Sequence, residues 1–321
     1  MSLDGGGSKC VCVVFDSDLN VLGSGAAGGT NTTQNPPEVV RANVAACIGA
    51  ALDGTGITEI ERFYYCIVGP QDVMLSEAAS RVKIRETVPM TEPIAGLLAS
   101  AVADSGILVI SGTGSDMFVI ENGGFDEKGP RPIVGGWGPI LGDQGSGTWI
   151  GRNALLEFSK AAEGWGRPSL LWDMIRAEYK LGRDYDLVGI VHGDPSPFRV
   201  AAGFTKLAGR AAEAGDAFCR ELLGRAGEEL ALQTLCLIER RALDGNRQTV
   251  TCCGGAWKSG RFMFESFRET LAKTYPGIAV HKPLFEHVMA GPVRMLRDEG
   301  LTRDDIIEKV RTHFTQYVIG W

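Results

Sequence analysis

Several things are scarce in this 321-residue chain. No apolar run approaches the roughly 20 residues that a membrane-crossing helix needs. The opening Met1-Ser2-Leu3-Asp4-Gly5-Gly6 holds no apolar signal-peptide core. These absences lead us to expect a cytoplasmic protein with no membrane partner. Positive charge is thin: 32 Lys and Arg face 39 Asp and Glu, for a net charge of −7, and no basic run occurs. Little is left to gather nucleic-acid phosphates, so no nucleic-acid partner is expected. Histidine occupies four scattered positions (His192, His281, His287, His313), none near another His or a Cys at ligand spacing. The eight cysteines (Cys10, Cys12, Cys47, Cys66, Cys219, Cys236, Cys252, Cys253) form no Cys-x-x-Cys pair and read as small buried hydrophobes. A metal held mainly by His or Cys is therefore not expected.

What the chain has in excess is glycine, 43 of 321 residues, about 13% against an average near 7%. The excess is not periodic, which excludes a collagen-like fibre. Hydrophobic residues make up 44%, ample for a packed core. At roughly 150 residues per domain the length suggests about two domains.

The residue pattern is that of an α/β protein. Strands are expected at Lys9 to Phe15, Val21 to Ser24, Arg62 to Val68, Ile84 to Val88, Gly106 to Ser111, Met117 to Glu121, Pro132 to Val134, Thr249 to Cys253 and Ile278 to His281. Helices are expected from Pro36-Pro37-Glu38 to about Leu52 and from Pro93 to Val102. Beyond about residue 145 the texture turns helical: Ser146 to Ala162, Leu170 to Leu181, Phe198 to Ala214 and Ala217 to Ala242 carry 3.6-residue periodicity. Helices near Arg261 to Thr274, Glu286 to Glu299 and Arg303 to Tyr317 complete the pattern. A strand, glycine turn, strand arrangement near residue 4 recurs near residue 111, as a diverged duplication would leave it.

The glycines fall in four clusters. Asp4-Gly5-Gly6-Gly7-Ser8-Lys9 precedes a strand; bare backbone amides can approach an anion there, and Asp4 suits a hydrated Mg²⁺ bridging phosphates. Ser111-Gly112-Thr113-Gly114-Ser115 follows an apolar strand and suits a second phosphate cradle. Each alone reads equally well as a plain turn. Gly135-Gly136-Trp137-Gly138-Pro139, running on through Leu141-Gly142-Asp143-Gln144-Gly145 to Trp149 and Gly151, offers two indoles and a carboxylate, which is what a sugar site needs. Cys252-Cys253-Gly254-Gly255-Ala256-Trp257-Lys258 is a strand, glycine turn and helix that can take a nucleotide against bare backbone. The order of the clusters along one chain carries more than any one of them.

On these residues, with Gly29-Thr30-Asn31, the chain resembles the N-acetylglucosamine kinase group of the BadF/BadG/BcrA/BcrD ATPase family, within the actin, hexokinase and Hsp70 superfamily. The resemblance implies two RNase H-like (actin-like ATPase) domains flanking an ATP cleft, one from 1–105 plus about 291–321 and one from 106–290. It implies ATP and Mg²⁺ as cofactors, with Asp4 on the metal. Gly5, Gly6, Gly7, Ser8, Lys9, Gly112, Thr113, Gly114, Ser115, Gly254, Gly255, Ala256 and Lys258 would hold the nucleotide. Asn31, Thr113, Trp137, Gly138 and Asp143 would line an amino sugar. The catalytic base is usually an Asp in an Asn-Asp pair; Thr91-Glu92-Pro93 stands here, so Glu92 takes that role one methylene longer. The family's common Gly-Asp-Glu-Gly reads Gly142-Asp143-Gln144-Gly145. Only three residues precede Asp4, so the first strand is expected to be short and the fold slightly weakened. A homodimer is common among look-alikes. The alternatives to a kinase are an ATPase that drives a partner protein and a sugar sensor with an impaired site.

Overall fold

The computed structural model describes residues 1–124 and 133–320. The start of the strand expected at Pro132, and Trp321, lie outside them. The described chain forms two compact units. One comprises 1–105, 120–124 and 282–320; the other comprises 106–119 and 133–281.

The first unit holds a five-stranded sheet of β1 (Ser2–Gly5), β2 (Lys9–Phe15), β3 (Val21–Gly28), β4 (Glu59–Ile67) and β5 (Lys83–Pro89), in the order β3-β2-β1-β4-β5. β1 runs antiparallel to β2 and parallel to β4, which sets Asp4 opposite Val11 and Cys66. Alternation along β2 divides the core between the two faces of the sheet. Cys10, Cys12 and Val14 pack with Val40, Val44, Cys47 and Ile48 of α1 (Pro37–Leu52). Val13 packs with Ala95 and Leu98 of α3 (Glu92–Ala101) and with Val293 and Val310 near the chain's end. Between α1 and α3 in the chain lies α2 (Gln71–Arg81), which the periodicity did not signal. Only Met74 and Ala78 of its eleven residues are buried, so too little apolar pattern marks it.

The second unit repeats this topology. β6 (Gly106–Ser111), β7 (Ser115–Ile120), β8 (Ile133–Gly135), β9 (Thr249–Cys253) and β10 (Ala279–His281) lie in the order β10-β9-β6-β7-β8. Read from the far edge, this is again third, second, first, fourth, fifth, with β9 parallel to β6 and β10 parallel to β9. The helices here are α4 (Gly138–Leu141), α5 (Gly147–Ala162), α6 (Leu170–Glu178), α7 (Leu187–Gly193), α8 (Pro197–Glu213), α9 (Ala217–Arg240) and α10 (Arg261–Thr274). Ser146 caps α5 by accepting the Trp149 N–H at 3.1 Å, and Asp216 caps α9 by accepting the Cys219 N–H at 2.8 Å. The chain re-enters the first unit at residue 282 and there forms α11 (Ala290–Asp298) and α12 (Arg303–His313).

The start of β1 is chemically unusual. The Met1 α-amino group donates to the Arg62 carbonyl at 3.0 Å, and burial lowers its pKa to about 6, slightly offset by Cys12. A buried neutral amine destabilises the fold wherever the unfolded chain protonates first. For a chain beginning at Met1, stability is expected to fall by about 2 kcal/mol as pH drops from 8 to 6. Denaturant melts across that window check it: residues added ahead of Met1, which turn the amine into an amide, should abolish the loss.

Candidate active site

In the first unit the Asp4–Lys9 turn is stitched to the segment after β3. Thr30 N–H and Asn31 N–H both donate to the Gly6 carbonyl, at 2.8 and 3.3 Å, and Val68 N–H donates to Gly5 at 2.7 Å. Asn35 Nδ2 reaches the Gly7 carbonyl at 3.2 Å. The expected phosphate turn and the expected sugar segment are therefore one structure. Asn31 Oδ1 accepts from Thr33 N–H and Thr33 Oγ1 at 2.9 and 2.8 Å, which fixes that side chain locally.

Asp4 is 8% exposed. Its Oδ1 lies 3.0 Å from Nδ1 of His287, a residue that came from outside every motif. Burial alone would depress the His287 imidazole, but the Asp4 carboxylate, its hydrogen bond and the nearby Glu92 carry it above its ordinary value. Glu92 opens α3 and keeps a half-buried surface. Burial pushes its carboxyl above the usual glutamate range; Asp4 adds to this and His287 opposes it. Lys9, expected on phosphate, pairs with Glu286 at 3.0 Å. A pocket of about 300 Å³ adjoins the group, lined by Asp4, Lys9, Val11, Glu286, His287 and Tyr317.

Among the described residues no three His, Cys, Asp or Glu side chains gather as a metal cage. Mg²⁺ does not require one: it keeps most of its waters and is held by one or two carboxylates with substrate phosphates. A buried Asp4 with one oxygen on His287 and Oδ2 outside that bond fits this mode. Seven of the eight cysteines are buried and Cys236 is half-exposed; none is in a disulfide among the described residues.

In the second unit three of the glycine clusters meet. Gly147 N–H donates to the Gly112 carbonyl at 2.8 Å, and Thr148 N–H donates to Thr113 at 3.3 Å. Ser111 Oγ donates to Gly145 and Ser115 Oγ to Gln144, both at 2.9 Å. Gly254, at φ +106°, lies against the Ser111 carbonyl so closely that a Cβ would overlap it. The two expected nucleotide turns are thereby packed backbone to backbone. Behind them Trp257 is wholly buried, its Nε1 donating to Val109 at 3.2 Å.

Asp143 is 4% exposed and adopts φ +58°, a left-handed conformation that costs a non-glycine residue energy. Burial raises its pKa, opposed by N–H groups of Ser115 and Gly138 that bond the carboxylate. A Cβ at Gly114 would stand 2.9 Å from Asp143 Oδ2. Asp143 therefore ties the Ser111–Ser115 turn to the Gly135–Gly151 segment. Of the two indoles, Trp137 is 59% exposed, whereas Trp149 sits in α5 with Arg225 over its ring at 5.6 Å. Asp143→Asn would turn an N–H₂ toward backbone donors. It is expected to lower stability by about 1–3 kcal/mol. Unchanged denaturant melts would refute that tie.

The repeated five-stranded sheet with its glycine turns defines an actin-like ATPase fold. A ROK family glucokinase from Streptomyces griseus, solved with glucose and AMPPNP, superposes at a TM-score of 0.58 with 16% identity, covering 91% of this chain and 96% of that one. A Porphyromonas gingivalis structure solved as a candidate N-acetylglucosamine kinase gives a TM-score of 0.68 and 18% identity over 93% and 99%. At these identities the likeness concerns the fold. The model of the BadF/BadG/BcrA/BcrD ATPase family matches residues 3–288, and the chain belongs to that family. An N-acetylmuramic acid/N-acetylglucosamine kinase of Clostridium acetobutylicum is 26% identical over 288 residues, which is 87% of this chain and 92% of that one. No helix among the described residues is long and apolar enough to cross a membrane.

Proposed function

We propose that this chain is an ATP-dependent kinase that phosphorylates a hydroxyl of an amino sugar, N-acetylglucosamine or a close relative. The observation that carries the reading is the buried Asp4 of the first glycine turn, held by His287, with Glu92 at the start of α3 close enough to act on it electrostatically. Membership of an ATPase family and the likeness to the Clostridium enzyme support it.

In the proposed reaction the sugar O–H bond breaks and its proton passes to Glu92, while the oxygen bonds to the γ-phosphorus of ATP and ADP leaves. Bound ATP supplies the phosphoryl group, and Mg²⁺ supplies charge neutralisation. The protein's share is positioning and electrostatics. Asp4 would hold the hydrated metal. Amides of Gly5–Ser8 and Gly112–Ser115 would approach the phosphates, and Gly254–Lys258 the adenosine. The raised Glu92 carboxyl would be a stronger base than a solvated one. Asn31, Thr113, Trp137, Gly138 and Asp143 would bind the sugar, Trp137 by its ring face.

The test is ADP release from Mg-ATP with and without a panel of hexoses and amino sugars. Turnover that depends on an amino sugar is the expected result and names the substrate. Sugar-independent release would replace the kinase with a partner-driving ATPase. Silence in a folded protein would favour a sensor. Asp143→Asn is further expected to raise the sugar KM with kcat largely kept; an unchanged KM would remove Asp143 from sugar binding.

A further inference from the structure

His287 is a costly residue where it stands. Its Nε2 is buried and makes no hydrogen bond of good geometry. An unsatisfied buried nitrogen is worth removing, and an apolar side chain would fill the space without it. What the histidine gains is the 3.0 Å bond from Nδ1 to Asp4 Oδ1. Asp4 needs that hold, because Glu92 presents a second acidic group to it. Like charges near one another repel, which disfavours a carboxylate left without a hydrogen-bond partner. The hold comes from an anchored place: His287 begins the 3-10 turn His287–Met289 that leads into α11, and the next carbonyl, Val288, accepts from Ser2 Oγ at 2.6 Å, two residues from Asp4.

We infer that His287 is a positioning residue that fixes the Asp4 carboxylate, turning Oδ2 toward the metal–phosphate group while Oδ1 stays on the imidazole. This rests on the proposed metal-holding role of Asp4. Residues that orient a metal ligand typically change affinity or activity by about 10–100-fold when lost. His287→Asn keeps an N–H donor near the position of Nδ1. His287→Gln moves the donor toward the position of Nε2, and His287→Leu removes it.

The experiment is calorimetric binding of ADP to the purified chain, in Mg²⁺ and in EDTA, without sugar. The Leu and Gln variants are expected to lose about 10–100-fold in affinity for Mg-ADP and to bind ADP in EDTA as the wild type does. The Asn variant should recover most of the loss. Should Leu fail to fold, the contrast between Asn and Gln carries the same information. Equal losses with and without Mg²⁺, or no difference between Asn and Gln, overturn the inference and leave His287 as packing. Wild-type binding that ignores Mg²⁺ overturns the metal role of Asp4, and the inference with it.

Discussion

Glu92→Gln is expected to lower kcat by ~10²-fold or more while sugar binding stays nearly unchanged. The amide fills the same space at the start of α3 but cannot take a proton from the attacking hydroxyl. Stability should not suffer. Burial raises the Glu92 carboxyl, so the folded state holds its proton more tightly than the unfolded state. For an acid raised in this way, the charge costs the fold stability as pH rises from the ordinary glutamate value through the raised one. At neutral pH the Gln variant is therefore expected to melt at or slightly above the wild-type temperature. Loss of turnover with no loss of melting temperature separates a chemical role from a packing role. The same shift places the acid limb of the wild-type kcat/KM profile above an ordinary glutamate value, with activity falling as pH drops through it. Near-normal turnover in Glu92→Gln would remove it as base and turn attention to Asp143 or Asp4.

Two glycines of α9, one turn apart, should respond oppositely to alanine. At Gly227 a Cβ would overlap the Met263 carbonyl and stand 2.9 Å from the Phe267 amide, so α9 and α10 touch backbone to backbone there. Gly227→Ala must push the helices apart, at an expected cost of about 3 kcal/mol or more. In melting temperature that is about 6–12 °C for a unit of this size. At Gly224 nothing lies within 4 Å of the added carbon. Gly224→Ala should stabilise by about 0.5–1 kcal/mol, because alanine loses less backbone freedom in a helix. Calorimetric scans of both variants check the pair. Similar shifts in the two would mean that α9 and α10 do not approach as closely as Gly227 requires.

Much of the architecture was legible in the residues. The strands at Lys9–Phe15, Gly106–Ser111 and Thr249–Cys253 appear where the apolar runs put them, because buried strands of a sheet covered on both faces need such runs. Helix α1 begins at Pro37, α3 at Glu92 just before Pro93, and α5 just after its Ser146 cap, since capping chemistry is local. Val21 continues further than expected, to Gly28. Its Gly-Ser-Gly-Ala-Ala-Gly tail has weak strand propensity of its own, and seven-residue pairing with β2 decides it. α2 escaped notice for the reason given by its two buried residues.

The candidate site divides along the same line. The glycine turns were visible because a turn that needs bare backbone must write glycine into the sequence, and Asp4, Asp143 and Glu92 stand within or beside recognisable motifs. His287 was not visible. It lies 283 positions from Asp4, and nothing local marks a lone histidine before a short helix. The inward turn of Asp143, the pairing of Lys9 with Glu286 and the opposite surroundings of Gly224 and Gly227 were equally hidden. By itself the sequence determined most of the elements, the glycine turns and the family, because these depend on neighbours a few residues away. Only the tertiary structure decided which side chain holds which carboxylate, because that depends on distances between residues the chain order keeps far apart.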